Sequence, residues 1–140
     1  MNKTTIKTLS TILLLCLTTT VFSQKIVVME KDTIASINTT GIITNSMSNQ
    51  LGEITSSGVI KNAQGETLGN IVGNKFIDIS GIVRGEKIVA GNETQLKAGG
   101  DVIIATVQSG NKIIDSNNTV LLSGTGTVSE NQLIAYFLFF

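Results

Sequence analysis

The chain is 140 residues long, 41% of its residues are hydrophobic, and its formal net charge at pH 7 is zero. It has no histidine and one cysteine, Cys16, which lies in a segment predicted to be removed. The usual nucleophile–base pairs and the soft-metal sites built on histidine or cysteine are therefore excluded. The charges are spread singly along the chain, which argues against nucleic acid or an anionic membrane surface as a partner, because both require a clustered positive patch.

Residues 1–23 are typical of a signal peptide. Lys3 and Lys7 precede an apolar run at residues 11–17, and Val21-Phe22-Ser23 is acceptable to a signal peptidase. A membrane anchor is the alternative, but a run of about seven residues is too short, because a helix needs about 20 to cross the hydrocarbon core. We therefore predict an exported protein, cleaved near Ser23, that is periplasmic, cell-surface or secreted.

Lipid attachment at Cys16 is disfavoured, because a lipoprotein signal places a small residue before the cysteine and this chain has Leu15 there. Cleavage after Ser23 leaves a mature chain with a net charge near −2 and no cysteine. Disulfides then cannot stabilise the mature chain, and thiol chemistry cannot contribute to its function.

Residues 24–33 are predicted as a lead-in strand, and a unit of 17 residues recurs from residue 34 to residue 135. The first two units, which begin at residues 34 and 51, match best, and the repeat extends to the third unit at residue 68, whereas the fourth and fifth are degenerate and can hide compensating slips. The positions that carry the repeat are Ile37, Gly41, Leu51, Gly52, Ile54, Gly58, Ile60, Leu68, Gly69, Ile71 and Ile77.

Each unit has the composition of a β-hairpin, because Ile, Val and Thr groups alternate with Gly, Asn and Ser clusters at short spacing. Positions 1–4 and 9–12 are predicted as strands, positions 5–8 as a turn ending at a positive φ, and positions 13–17 as a polar link. With position 4 paired to position 9, apolar side chains fall on both faces of a hairpin. Since such a hairpin is unstable alone, we predict an all-β fold of short hairpins packed side by side around an axis.

The run Leu51–Asn62, the run Leu68–Ile71 and the aromatic end Ala135–Phe140 together resemble the five-fold β-flower family of exported bacterial repeat proteins. The resemblance covers residues 34–82 and the C-terminus, and the pattern departs from it between about 85 and 118. It implies small hairpins arranged about an axis, and it implies no established activity.

The segment 136–140 is predicted as an aromatic tail that lies among the hairpins as a core plug, with its rings buried. The plug residues are Tyr136, Phe137, Phe139 and Phe140. The rival interpretation is an exposed tail that inserts into a membrane or a partner. A last strand of an outer-membrane barrel is a further alternative, but the predicted strands are shorter than the 9–11 residues that a crossing needs.

Three groups of residues are candidates for a chemical site. The acids Glu53, Glu66 and Asp78 occupy different positions of their units and need not converge into the carboxylate pair of a glycosidase. Asp115–Asn118 offers oxygens for calcium but lacks an alternating acidic loop, and Lys97–Asp101 has Asp where a phosphate loop requires a basic residue. We predict no catalytic, metal or cofactor-binding residue.

The sequence therefore favours a non-enzymatic structural or binding module of the cell envelope, whose turns contact an unknown envelope or extracellular partner. One alternative is an envelope-associated protein anchored through its aromatic C-terminal tail, where membrane contact occurs through that tail alone. A carbohydrate-active enzyme is a remote alternative.

Overall fold

The computed structural model describes residues 24–28, 32–109 and 111–140. The predicted signal peptide, residues 1–23, lies outside these residues. Within them the chain forms twelve β-strands and one α-helix. The strands are β1 (Gln24–Val28), β2 (Asp32–Ile37), β3 (Ile42–Asn45), β4 (Gln50–Ile54), β5 (Val59–Asn62), β6 (Thr67–Val72), β7 (Lys75–Asp78), β8 (Val83–Ala90), β9 (Glu93–Ala98), β10 (Val102–Gln108), β11 (Lys112–Ile114) and β12 (Val120–Thr125), and helix α1 spans Glu130–Phe139.

The strands form a closed antiparallel barrel in which each strand pairs with its neighbours in the chain, and β1 closes the ring against β12. Five hairpins follow one another from β2 to β11, and the pairing of β12 with β1 completes the ring. The predicted all-β fold of tandem hairpins around an axis is confirmed. Because closure pairs every strand on both sides, the wall has no free edge.

The units match the predicted hairpins closely over the first two repeats. Strand β2 ends at position 4 of unit one, its turn covers residues 38–41, and β3 covers positions 9–12. The predicted polar links are also tight turns, since residues 46–49 connect β3 to β4 over the same number of residues. A unit therefore contains two turns, and they lie at opposite ends of the barrel.

The predicted register within a hairpin is wrong by one residue. Ile37 pairs with Ile43 and Ile54 pairs with Ile60, so position 4 opposes position 10 instead of position 9. Between the last paired residues of the two strands lie three residues, 39–41, and Gly41 has φ 93°. The prediction assumed a two-residue turn, which is one residue shorter. Because a shift of one residue moves side chains to the other face, positions 4 and 10 both point inward and the hairpin has one apolar face.

The repeat continues beyond residue 75 with slips. The third turn, Gly73-Asn74, is one residue shorter, so Phe76 takes the inward place and Ile77 faces outward. The alignment of the repeat units predicts that Ile77 is equivalent to Ile43 and Ile60. This prediction is wrong. The shorter third turn causes this shift. An alignment of units at a fixed length of 17 residues cannot detect it, because the missing residue is made up later in the same unit.

Each hairpin also carries a β-bulge where a new unit begins. The bulged residues are Ile34, Leu51, Leu68, Arg84, Ile104 and Leu121, at the register shifts between neighbouring strands. Leu51 and Leu68 are half-buried on the outer face, and the residue after each bulge returns to the inside. Bulges increase local twist and curvature, which helps a twelve-stranded sheet of short strands to close.

The barrel interior is filled by helix α1. Leu133, Ile134 and Ala135 have no exposed surface, and Tyr136 is 9% exposed. They pack against the inward residues of the wall, among them Ile60 and Phe76. The C-terminal segment is thus a buried plug, as predicted, but it is a helix that begins at Glu130, and its deepest part precedes residues 136–140.

Three glycines on the inside of neighbouring hairpins make room for the end of this helix. A Cβ at Gly52 would lie 2.6 Å from the ring of Phe140, and one at Gly69 would lie 2.7 Å from the ring of Phe139. A Cβ at Gly85 would lie 2.8 Å from Leu138. These glycines therefore accommodate the end of the plug, and Gly52 and Gly69 also lie close to neighbouring backbone, since an added Cβ would lie 2.2 Å from the Lys61 carbonyl oxygen and 2.3 Å from the Ile77 carbonyl oxygen.

Candidate functional site

The two ends of the barrel use the same turn backbone. At one end the Asn38 amide donates to the Ile42 carbonyl and the Gly41 amide donates to the Asn38 carbonyl, both at 3.0 Å. At the other end Asn45 N donates to Asn49 O at 2.9 Å, with Ser48 at φ 65° in the place of glycine. The turn geometry is a property of the repeat, so it does not distinguish one end from the other.

In six of the turns the first residue fixes the turn with a side-chain oxygen. Asn38 Oδ1 accepts hydrogen bonds from the amides of Thr40 and Ile42, at 3.0 and 2.9 Å. Thr55 Oγ1 accepts from Val59 N at 2.9 Å. Asn45, Asn62, Asp78 and Asp115 do the same with Oδ1 at the opposite end. Asn, Asp and Thr at these positions are explained by this local bonding.

A cavity of about 570 Å³ lies between the first two of these turns and the start of α1. We call it the hydroxyl groove and the end of the barrel that carries it the hydroxyl end. The groove is lined by Thr39, Thr40, Gly41, Ile54, Thr55, Ser56, Ser57, Gly58, Ile71, Gly73, Thr127, Ser129, Asn131 and Gln132. Its size falls within the range of small-ligand sites.

The helix side of the groove is held rigidly. Ser129 Oγ accepts a hydrogen bond from Gln132 N at 3.2 Å, and Gln132 Oε1 accepts one from Ser129 N at 2.9 Å, which together form a capping box. Lys87 Nζ donates to Glu130 Oε1 at 3.1 Å and to Asn131 Oδ1 at 2.6 Å. These bonds tie the start of α1 to β8, so the helix and the wall present one fixed surface.

Some hydroxyls of the groove hold the turns and others are free. Thr40 Oγ1 donates to Asn38 Oδ1 at 2.8 Å, and Thr55 Oγ1 shares a hydrogen bond with Ser57 Oγ at 3.0 Å. Within the part of the chain that the structure describes, the hydroxyls of Thr39 and Ser56 make no hydrogen bond, and both residues are exposed. These two groups can bind a ligand without breaking an existing contact.

The groove is electrically neutral. None of its lining residues is acidic or basic, and Lys87 and Glu130, which lie beside Asn131, are paired with each other. A charged ligand would lose hydration without gaining a partner, which is unfavourable. The buried Ile54 and the half-buried Ile71 add apolar surface to the lining. The groove thus offers hydroxyl and amide groups together with an aliphatic surface.

The predicted repeat residues are placed in three ways. Ile37, Gly52, Ile54, Ile60 and Gly69 face the interior and are buried, whereas Leu51, Leu68 and Ile77 are half-buried on the outside. Gly41 and Gly58 end turns at φ 93° and 85° and line the groove together with Ile71. The repeat residues therefore build the wall, and Gly41, Ile54, Gly58 and Ile71 also contribute to the groove.

The predicted plug residues lie at the opposite end of the barrel from the groove. Phe137 and Phe139 are half-buried, and Phe140 is 41% exposed, with its ring 5.8 Å from the ring of Tyr136. Burial raises the pKa of the Tyr136 hydroxyl. These rings contact the barrel interior and each other.

The candidate acids Glu53, Glu66 and Asp78 do not lie together in one site. Glu53 pairs with Lys61 at 3.5 Å, and Glu66 accepts a hydrogen bond from Asn62 at 2.7 Å. Asp78 accepts from Arg84 Nε at 2.9 Å. Among the described residues, no group of three or more acids, histidines or cysteines is placed to hold a metal ion.

Asp78 and Asp115 serve their own turns. The backbone amide of Ile82, with further help from Arg84 and Ser80, lowers the pKa of Asp78 although partial burial opposes it. The amide of Thr119 lowers the pKa of Asp115 in the same way. In the segment Lys97–Asp101 the two charged ends lie 3.8 Å apart, across a tight turn between β9 and β10.

The sequence reasoning missed Thr39, Ser56 and Gln132 as site residues. A signal was present, because Thr39-Thr40 and Ser56-Ser57 occupy the same two positions of consecutive units. What the sequence could not show is that the start of α1 closes over these turns.

The chain stands apart in comparisons with known proteins. No family model, no curated protein and no solved structure matches it. Among the described residues, no helix combines the length and the apolar character that crossing a membrane requires.

Proposed function

We propose that this chain is an exported, non-enzymatic binding module of the cell envelope whose hydroxyl groove binds an uncharged, hydroxyl-rich ligand. The observation that carries the proposal is the lining of the groove. It combines free hydroxyls at Thr39 and Ser56 with an aliphatic floor and no charge. Carbohydrates have this character, because they present hydroxyls at their edges and C–H groups on their faces.

The absence of catalysis is part of the proposal. General acid–base chemistry needs a side chain that titrates near the working pH, held within reach of the substrate. The lining supplies hydroxyls, amides and aliphatic groups. Ser and Thr are weak nucleophiles without an adjacent base. The proposed role therefore requires no cofactor and predicts that a bound glycan is released unchanged.

Export is the second part of the proposal. Strand β1 begins at Gln24, directly after the predicted cleavage site at Ser23. Cleavage there leaves every described strand intact, including the one that closes the barrel. We propose that the mature protein works in the periplasm, at the cell surface or in the medium, and that it is related to the β-flower family.

Affinity electrophoresis tests the binding role. A gel that contains a neutral soluble polysaccharide such as hydroxyethyl cellulose should retard the mature protein, and a gel that contains polygalacturonate should not. The double variant Thr39→Val/Ser56→Ala should migrate freely in both gels. The matched control is Ser46→Ala/Ser116→Ala, which removes hydroxyls from the equivalent turn position at the opposite end and should keep the retardation.

Two results would contradict the proposed function. One is equal retardation of the protein and the groove variant, and the other is stronger retardation by the acidic polymer. New reducing ends after incubation with the neutral polymer would contradict the non-enzymatic role. Mass spectrometry of the exported protein should give an N-terminus at or near Gln24, and a retained residue 1–23 segment would overturn the export proposal.

A further inference from the structure

The two free hydroxyls of the groove are equivalent positions of consecutive repeats. Thr39 and Ser56 are 17 residues apart and each is the second residue of its turn. The turns have the same backbone, with Gly41 and Gly58 at φ 93° and 85° and closing bonds of 3.0 and 2.9 Å. The same hydroxyl is therefore presented twice, in the same setting, on neighbouring hairpins.

The strand register gives the spacing of the two hydroxyls. Ile37 pairs with Ile43, and Ile43 pairs with Gly52. The repeat equivalent of Ile37 is Ile54, which lies two residues beyond Gly52. Equivalent residues of neighbouring units are therefore separated by two strands and a stagger of two residues. Two strand separations of about 4.8 Å and a stagger of two residues of about 3.3 Å each place equivalent residues about 12 Å apart. This separation is longer than one sugar ring and is close to that of two sugars in an extended chain.

We infer that the hydroxyl groove binds a linear, uncharged polysaccharide in an extended conformation, with one disaccharide step of the chain spanning the distance between Thr39 and Ser56. This inference rests on the proposed function and names the ligand class of the same site. A single sugar would contact one of the two turns. A chain of three or more sugars would contact both, and the aliphatic floor at Ile54 and Ile71 would lie against the C–H faces between them.

The third turn limits the length of the array. In the third unit the turn is Gly73-Asn74, which is one residue shorter and has no hydroxyl at the equivalent place. Gly73 lines the groove at that side. The binding surface therefore spans two repeats, and the gain in affinity with ligand length should stop once both turns are occupied.

A protein partner fits the groove less well than a glycan. Interface hot spots are enriched in Trp, Tyr and Arg set in desolvated pockets, and the lining contains none of these residues. The two exposed, unpartnered hydroxyls and the capped helix start suit hydrogen bonding to a polar ligand whose conformation repeats. The polymer is therefore the occupant that the described surface favours.

Calorimetry with oligosaccharides of increasing length tests the inference. The probes are uncharged β-1,4-linked glucose and N-acetylglucosamine oligomers of one to six sugars, and the protein is the full mature chain. Affinity should rise about five- to tenfold between one sugar and three or four, because a second turn adds hydrogen bonds, and should then level off. Thr39→Val and Ser56→Ala should each abolish the increase in affinity with ligand length. The affinity of each variant for a single sugar should stay within about twofold of the natural protein's, because one of the two turns is still intact.

The outcomes separate the inference from the proposed function. An affinity that is the same for oligomers of one to six sugars would contradict the inference of a polysaccharide ligand, and the proposed binding of an uncharged, hydroxyl-rich ligand would still stand. Binding by none of the oligomers at millimolar concentration would overturn both. Ser46→Ala and Ser116→Ala, at the matched turn position of the opposite end, should keep the full dependence on length, and loss of that dependence in either variant would also contradict the inference.

Discussion

The two ends of the barrel share a backbone and differ in their side chains. At the hydroxyl end the turn tips at residues 39–40 and 56–57 carry Thr and Ser. At the opposite end, which we call the aliphatic end, the tips and the strand starts beside them expose large apolar residues. Six of the eight most exposed large apolar residues of the described chain lie there: Met47, Ile79, Ile82, Val102, Ile103 and Phe140.

This difference separates structural requirements from functional choices. In the six turns that begin at Asn38, Asn45, Thr55, Asn62, Asp78 and Asp115, the first residue offers a side-chain acceptor and the fourth takes a positive φ, at both ends of the barrel. The side chain at the second position makes no hydrogen bond within these turns and is free to vary. At residues 39 and 56 this backbone carries Thr and Ser, and at residues 47 and 79 of the other end it carries exposed Met and Ile, so the turn itself does not fix these side chains.

The plug connects the two ends, so its removal should have the largest effect. Deleting residues 136–140 should destabilise the fold by more than about 3 kcal/mol, since it removes the buried Tyr136 and three half-buried apolar side chains, and full burial of one large side chain contributes about 1.5–3 kcal/mol. Leu133→Ala, at a site with no exposure, should cost about 2–5 kcal/mol because it leaves a cavity. Chemical denaturation measures both changes.

Leu51→Ala is the matched control for the plug, because this leucine is half-buried on the outer face. It should cost clearly less than Leu133→Ala. A truncated chain that keeps its full thermal stability would show that α1 does not hold the barrel, and the two ends would then have to be treated as independent.

The glycines that face the plug should differ in a predictable way. Gly85→Ala places a Cβ 2.8 Å from Leu138 and 3.0 Å from Leu96, both side chains, and should cost about 1–3 kcal/mol. Adding Leu138→Ala should recover part of that loss in a double-mutant cycle. At Gly69 the nearest atom is the Ile77 carbonyl oxygen, 2.3 Å from the added Cβ, so trimming Phe139 should not rescue Gly69→Ala. Equal rescue at both sites would contradict the assigned contacts.

Acid should weaken the aliphatic end first. Asp78 and Asp115, which fix turns there, have pKa values lowered below 3.8 in the folded chain by backbone amide donors. A lowered folded pKa means that their contribution is complete above the unfolded pKa and is lost as pH falls below about 4. Asp78→Asn with Asp115→Asn should flatten the fall in melting temperature between pH 5 and pH 2.5.

Two neighbouring turns provide the control for the acid experiment. Asn45 and Asn62 perform the same bonding without a titratable group, so Asn45→Asp should add acid sensitivity that the natural turn lacks. An unchanged pH profile in both the double variant and Asn45→Asp would show that these hydrogen bonds do not contribute to the pH dependence of stability.

The turn tips should affect stability least. Ile79→Thr and Ile82→Thr at the aliphatic end, and Thr39→Val and Ser56→Ala at the hydroxyl end, should each change stability by less than about 0.5 kcal/mol, because all four residues are exposed. Thermal unfolding checks this. A tip variant that lost several kcal/mol would place that residue among the structural requirements and weaken its assignment as a contact residue.

The sequence predicted the parts of the fold that depend on local chemistry. The hairpin length and the turns at Gly41 and Gly58 follow from residue type at fixed spacing, and they are correct. The hairpin register was missed, because a bulged three-residue turn and a two-residue turn differ by one residue and reverse every face. Ile77 was misplaced for the same reason, since a shorter third turn shifts the alignment.

The groove could be foreseen only in part. The repeated hydroxyl pairs at residues 39–40 and 56–57 are visible in the sequence, but Ser129 and Gln132 reach them through a helix that folds back inside the barrel. The expected burial of the tail holds for Tyr136, whereas Phe137 and Phe139 are half-buried and Phe140 is exposed. The aromatic residues also did not indicate that a capped helix begins at Glu130. Long-range placement of this kind depends on closure of the whole ring, which no local pattern records.

The most direct test of the account is a residue-resolved NMR titration of the mature protein with an uncharged β-1,4-linked tetrasaccharide. We expect amide shifts to be confined to the hydroxyl end, at residues 39–41, 56–58 and 129–132, and to saturate together. Shifts centred on the aliphatic-end turns at 46–49 and 79–82, or no saturable shift at any residue, would contradict the claim that the hydroxyl groove is the binding end of this protein.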